Sequence, residues 1–198
     1  ELGFKKFVGS NLNDEGNVYN ISTKERKGVV QKVFSEPPRR NDALVWLVRT
    51  FIEDSAFGHA SGLIQTLKRD EIFPERLKPS FEEMQAYFFY KQGMGDSAAH
   101  HLIPALSNAE NMAEKARWEY LIGQLFALSK NKTEANKYFD LSIKHAIDPV
   151  MMVYARLNQI KLAHGDDDKK VIEDNIQELL KMARRDRYYN YRNIIYYM

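Results

Sequence analysis

A weak signal returns along this chain every 37 or 38 residues: a small or aliphatic residue on a helix-like stretch, then a large apolar residue four positions later. The pairs are Ala60/Ile64, Ala98/Leu102, Ala135/Phe139 and Ile172/Ile176. Their first members stand 38, 37 and 37 residues apart. A period of about 20–50 residues marks a solenoid, in which each unit buries its apolar face only against its neighbours. Proteins built this way work by presenting a surface, not by chemistry in a pocket. The question becomes which partner the chain meets.

Composition narrows the answer. The 198 residues suffice for one or two globular domains or for about five helical hairpins. With 29 basic and 27 acidic residues, the net charge of +2 gives no footprint for nucleic acid and no polybasic membrane patch. The chain has no cysteine, which excludes disulfides, thiolate metal sites and cysteine nucleophiles. No apolar run of about 18 residues is present, so no segment reads as membrane-spanning. Glu1–Ser10 lacks a signal-peptide pattern. Neither end carries helix punctuation, so the chain reads as a piece of a longer one.

No strand-like alternation competes with the helical pattern, and the predicted class is all-α. Residues 1–40 read as a partial, irregular N-terminal repeat, with a short helix near Lys5–Val8 and another over Thr23–Phe34 stopped by Pro37-Pro38. Residues 41–198 read as the repeat domain, with hairpins at about 41–75, 80–107, 110–148 and 149–184, and a partial unit at 188–198. Asn41 or Asp42 is expected to cap the first helix. Pro74 and Pro79 are expected to end the first hairpin, and Ser80 with Glu83 to form a capping box for the second. Gly93 and Gly95 make its turn, and Pro104 should bend or shorten its return helix. In the fourth hairpin Asp166–Asp168 is the expected cap of a helix through Ile172, Ile176, Leu179 and Leu180. The tail, rich in Tyr188, Tyr189, Tyr191, Tyr196 and Tyr197, reads as the start of a further first helix.

Two antiparallel helices approach closely only where a side chain is small. Gly123 and Ala135 stand twelve residues apart, as do Ala86 and Ala98. With Phe126 and Phe139, this spacing resembles the tetratricopeptide repeat, which places small residues at positions 8 and 20 and a large aromatic near 24. Pro149 arrives two residues later than the repeat proline. The resemblance implies a right-handed superhelix of about four to five repeats, each slightly longer than usual. Val48 takes the small position of the first hairpin, and Ile172 replaces alanine in the fourth.

In such a stack the first helices line a concave face. The candidate groove residues are Arg49 and Glu53, then Tyr87, Tyr90 and Lys91, then Tyr120 and Gln124, with Val45, Ile52, Glu83, Ala127 and Leu128 at related positions. Tyr, Arg, Lys and Gln suit an extended peptide or a partner helix.

Nothing in the sequence calls for a cofactor. His100 and His101 diverge by about 100° on a helix and do not share an ion readily. His164-Gly165-Asp166-Asp167-Asp168 lacks the calcium-loop progression and its late glutamate. Asn20-Ile21-Ser22 and Asn131-Lys132-Thr133 match the glycosylation sequon, a pattern common by chance. No catalytic constellation, phosphate loop or metal set stands out, so no catalytic, cofactor-binding or metal residue is assigned and a non-enzyme is expected.

Three stretches, Ala43–Glu53 (ALVWLVRTFIE), Lys115–Leu125 (KARWEYLIGQL) and Tyr191–Tyr197 (YRNIIYY), resemble the PorW/SprE tetratricopeptide lipoproteins of Bacteroidota. The resemblance covers roughly residues 40–198. It implies a lipoprotein on the periplasmic side of the outer membrane, with a lipid anchor upstream. It further implies a non-enzymatic part in type IX secretion and gliding motility, with secretion-machinery proteins as partners. Two other readings stay open: a general peptide-binding repeat module, cytoplasmic in that case, and the helical repeat domain of a larger enzyme.

Overall fold

The computed structural model describes residues 39–163 and 169–197, and among these every regular element is helical. The expected short helices before residue 39, the Asp166–Asp168 cap and the His164–Asp168 turn lie outside the described residues. The chain divides into two compact units, Glu1–Met84 and Gln85–Met198.

In the first unit, α1 (Arg40–Glu53) packs on α2 (Phe57–Lys68). Ser55, at φ 58, reverses the chain between them. Val48, Ile52, Ala60, Ile64 and Leu67 form their contact face, with Val48, Ile52 and Ala60 fully buried. Val48 and Ala60 therefore occupy paired positions twelve residues apart. A 3-10 turn (Glu75–Leu77) leads into α3 (Lys78–Lys91), which runs across the unit boundary. The Arg76 guanidinium holds both Asp42 carboxylate oxygens, at 2.8 and 2.6 Å, and ties this turn to α1.

Two expectations fail here, both at helix starts. α1 begins at Arg40 with Arg39 as its N-cap, so neither Asn41 nor Asp42 caps it. Asn41 is turned inward and buried instead, and its amide has no hydrogen-bond partner. α3 begins at Lys78, so Pro79 sits in its first turn, where a missing N–H is harmless, and Ser80 lies inside the helix instead of capping it.

In the second unit, Gly93 at φ +74 turns the chain from α3 to α4 (Gly95–Ala105). Gly95 belongs to the helix, and a Cβ there would lie 2.8 Å from Ser129 Oγ and 3.0 Å from the Leu125 carbonyl oxygen. Its glycine is required by the close approach of α5 (Met112–Leu128). Pro104 stands one residue from the end of α4, which gives way to a 3-10 turn at Leu106–Asn108. α6 (Lys132–His145) packs on α5, α7 (Pro149–Leu162) on both, and α8 (Lys169–Ala183) on α7.

Asparagine caps define two of these starts. The Asn111 side chain accepts from the Glu114 N–H at 2.9 Å, and the Glu114 carboxylate accepts from the Glu110 N–H at 2.8 Å. Asn131 accepts from the Glu134 N–H at 3.3 Å. At each of these N-x-x-E sites the asparagine satisfies one of the orphan donors at the start of α5 or α6.

The fourth periodic pair is misplaced by three residues. Ile176 is 41% exposed and Ile172 only half-buried, while Asn175, Leu179, Met182 and Ala183 face inward. Asn175 and Leu179 stand 40 residues after Ala135 and Phe139. A polar Asn is tolerated inside because it accepts from the Arg156 guanidinium at 2.9 Å and donates to the Val171 carbonyl at 3.0 Å.

In the tail, Asp186–Tyr191 is a 3-10 helix and Arg192–Tyr196 (α9) a short α-helix. Tyr188 and Ile195 turn in against Val153, Leu157, Leu179 and Met182. Arg192 Nε donates to the Ala183 carbonyl at 2.7 Å, and Arg187 donates to the Ile147 carbonyl, fastening the tail to α8 and to the start of α7. Tyr189, Tyr196 and Tyr197 stay exposed.

Candidate protein-binding face

The hairpin α5–α6 sets the geometry of the face. Gly123 lies against Phe139 so closely that an added Cβ would fall 2.8 Å from two ring carbons. Phe126, Phe139 and Ala135 are fully buried beside it. Two polar ties lock the hairpin. Ser142 Oγ donates to the Ala116 carbonyl at 2.9 Å. Glu119, 1% exposed, meets the His145 ring nitrogen with both carboxylate oxygens, at 2.8 and 3.0 Å. His145 is the last residue of α6.

With Ala116, Glu119, Ile122, Gly123 and Phe126 committed to the interior, the opposite arc of α5 is left over. At roughly 100° per residue, Arg117, Tyr120, Leu121, Gln124 and Leu128 fall on that arc. Leu121 is 42% and Leu128 75% exposed. Tyr120 is half-buried, packs its ring on Phe139 at 5.7 Å, and receives a hydrogen bond from Asn158 Nδ2 at 2.7 Å. Burial pushes the Tyr120 hydroxyl pKa up, against the lowering effect of that bond, so it stays a neutral phenol at neutral pH.

Asn158 comes from α7, 38 residues after Tyr120. It shares an arc with Tyr154 and Lys161 at helical spacing, and Tyr154 and Lys161 are exposed. On the second-unit part of α3, the Lys91 ammonium lies 5.3 Å over the Tyr87 ring, and Tyr90 is 54% exposed. Among the expected groove residues, Tyr120 is brought together with a partner that the sequence reading lacks, and Gln124 lies one turn along from it. Asn158, Tyr154 and Lys161 were detectable by carrying the 37–38-residue register into the fourth hairpin.

In the first unit, Arg49 and Glu53 are exposed on α1, and the Arg49 guanidinium lies 5.6 Å over the Trp46 ring, itself 64% exposed. Val45 and Ile52, given related positions from the sequence, are buried and belong to the core.

The remaining candidates take structural places. His100 is exposed and bonds the Asp96 carbonyl at 2.9 Å, while His101 stacks on Phe89 at 5.1 Å. Asn131 of the sequon is a helix cap. No group of three or more metal-ligating side chains occurs among the described residues. No described helix is long and apolar enough to cross a membrane. Comparison with protein-family models, with curated proteins and with solved structures finds no match to this chain.

Proposed function

We propose that this chain is a non-enzymatic protein-binding scaffold of tetratricopeptide type, serving type IX secretion from the periplasmic side of the outer membrane. The observation that carries the repeat reading is the Gly123–Phe139 crossing, with Ala135 buried twelve residues after the glycine. That small-to-aromatic contact is the packing the repeat signature requires. The exposed arcs of α5 and α7 supply the face that a scaffold needs. The secretion assignment rests on the A-L-V-W-L-V-R-T, K-A-R-W and Y-R-N-I-I-Y-Y stretches. Its partners are then secretion-machinery proteins, and its anchor a lipid upstream of these residues.

The test is deletion of the gene in its source organism, followed by assay of type IX substrates in the medium. Loss of those substrates, restored by complementation, is expected. Unchanged secretion overturns the assignment to secretion.

A further inference from the structure

The face shared by α5 and α7 has a definite electrical character. These two helices carry Lys115, Arg117, Arg156 and Lys161 against Glu114 and Glu119. Both carboxylates are already engaged: Glu119 is buried on His145, and Glu114 is folded back onto the start of its own helix. Arg156 is likewise spent on Asn175. Lys115 lies on the other side of α5 at roughly 100° per residue, so Arg117 and Lys161 remain, both exposed, on the arcs that also hold Tyr120, Gln124, Tyr154 and Asn158. Among the described residues no free acid shares those arcs, so this part of the surface is basic although the whole chain is nearly neutral.

The uncharged groups say what shape of partner fits. Asn158 spends one amide N–H on Tyr120, leaving its carbonyl oxygen as an acceptor. Gln124 offers a donor and an acceptor together. Side-chain amides match the N–H and C=O that an extended backbone exposes and that a helix consumes internally. The two tyrosines add flat, rigid contact area of the kind enriched at binding hot spots. Nucleic acid fits less well, because two free cations neutralise few phosphates.

We propose that the α5–α7 face binds an extended, acidic segment of a partner protein, its carboxylates on Arg117 and Lys161 and its backbone on Gln124 and Asn158. This rests on the scaffold reading above and adds the chemistry of the partner. Interhelical spacing of about 8–10 Å and an extended rise of about 3.3–3.6 Å per residue make a peptide of roughly ten residues long enough to cross the face.

The test is a fluorescence-anisotropy titration with three labelled peptides of that length, identical except that alternate positions carry Glu, Gln or Lys. At low ionic strength the Glu peptide should bind at least tenfold more tightly than the other two and lose that advantage as salt rises. The double variant Arg117→Glu/Lys161→Glu should abolish the preference with an unchanged melting temperature, since both side chains are exposed. Equal affinity for all three peptides, or an unchanged preference in the double variant, overturns the proposal. Equal binding that Gln124→Ala weakens would leave the peptide-binding scaffold standing without acid selectivity. Binding to none of the three would count against both. A single-stranded oligonucleotide of matched charge that outcompetes the Glu peptide, or a second copy of the chain occluding the face in sedimentation, would also overturn it.

Discussion

Replacing Gly123 by alanine pits two effects of opposite sign against each other, and the structure says which one prevails. In an unobstructed helix interior the change would stabilise by about 0.8–1.0 kcal/mol, because glycine has more backbone freedom to lose. At Gly123 the new methyl carbon would stand 2.8 Å from Phe139 Cδ1 and Cε1 and 3.2 Å from Cγ. Carbon pairs are comfortable at about 3.5–4.0 Å, so the ring must retreat by roughly 0.7 Å or more. Phe139 is fully buried, with the tilted Tyr120 ring beside it and Ala135 one turn before it on α6, so it has nowhere easy to go. Overpacking of this kind costs about 1–3 kcal/mol, which cancels the gain of about 0.8–1.0 kcal/mol and leaves a net loss of up to about 2 kcal/mol.

Urea unfolding followed by circular dichroism measures this directly. Gly62→Ala in α2 is the control, because nothing lies within 4 Å of a Cβ built there. It should raise stability by about 1 kcal/mol. Phe139→Leu trims the ring that causes the clash, so Gly123→Ala should cost less on that background than on the wild type. If Gly123→Ala stabilises as much as Gly62→Ala does, the α5–α6 crossing is not as tight as described and the repeat reading loses its main support.

His145→Ala should destabilise by about 3–5 kcal/mol in the same assay, since it strands the buried Glu119 carboxylate without a partner. The double change Glu119→Leu/His145→Leu should recover most of that loss, and failure to recover would refute the ion-pair argument. Asp42 gives a pH prediction: hydrogen bonding to the Arg76 guanidinium holds its carboxyl below the ordinary 3.8. Its contribution is therefore complete above that value and lost as pH falls through the lowered one. Asp42→Asn should make the acid limb of the stability curve shallower, and an unchanged limb would rule the contact out as a source of stability.

What the sequence makes legible follows from how much each signal depends on distant residues. Gly123, Ala135 and Phe139 are readable because a tight crossing restricts residue type at both contact points. Helix starts are harder. Ser80-x-x-Glu83 has the form of a capping box, yet the 3-10 turn before Lys78 supplies an earlier nucleus and absorbs it into the helix. The true caps are Asn111 and Asn131, whose asparagines look like ordinary loop residues until the N–H three positions on is seen to need an acceptor. Ile172/Ile176 misleads for a different reason. Apolar residues are available at neighbouring positions of α8, and the bonds of Asn175 to Arg156 and to the Val171 carbonyl explain why a polar residue turns inward. The Glu119–His145 pair has no local signature, because its members lie 26 residues apart.

α5 divides its circumference between a packed arc and an exposed one. Ala116, Glu119, Ile122, Gly123 and Phe126 fill the interior arc, and every buried polar atom of Glu119 is satisfied there by His145. Nothing on the opposite arc is needed to complete that core except the Tyr120 ring, which straddles the two. Tyr120 meets Phe139 with its ring and Asn158 with its hydroxyl, so it links the packing of the hairpin to the exposed surface. The two arcs can therefore change independently at Arg117, Gln124 and Leu128, but not at Tyr120. A face made this way can vary its charge and its amides to suit a partner while the spacing of about 37 residues, fixed by the interior arc, stays as it is.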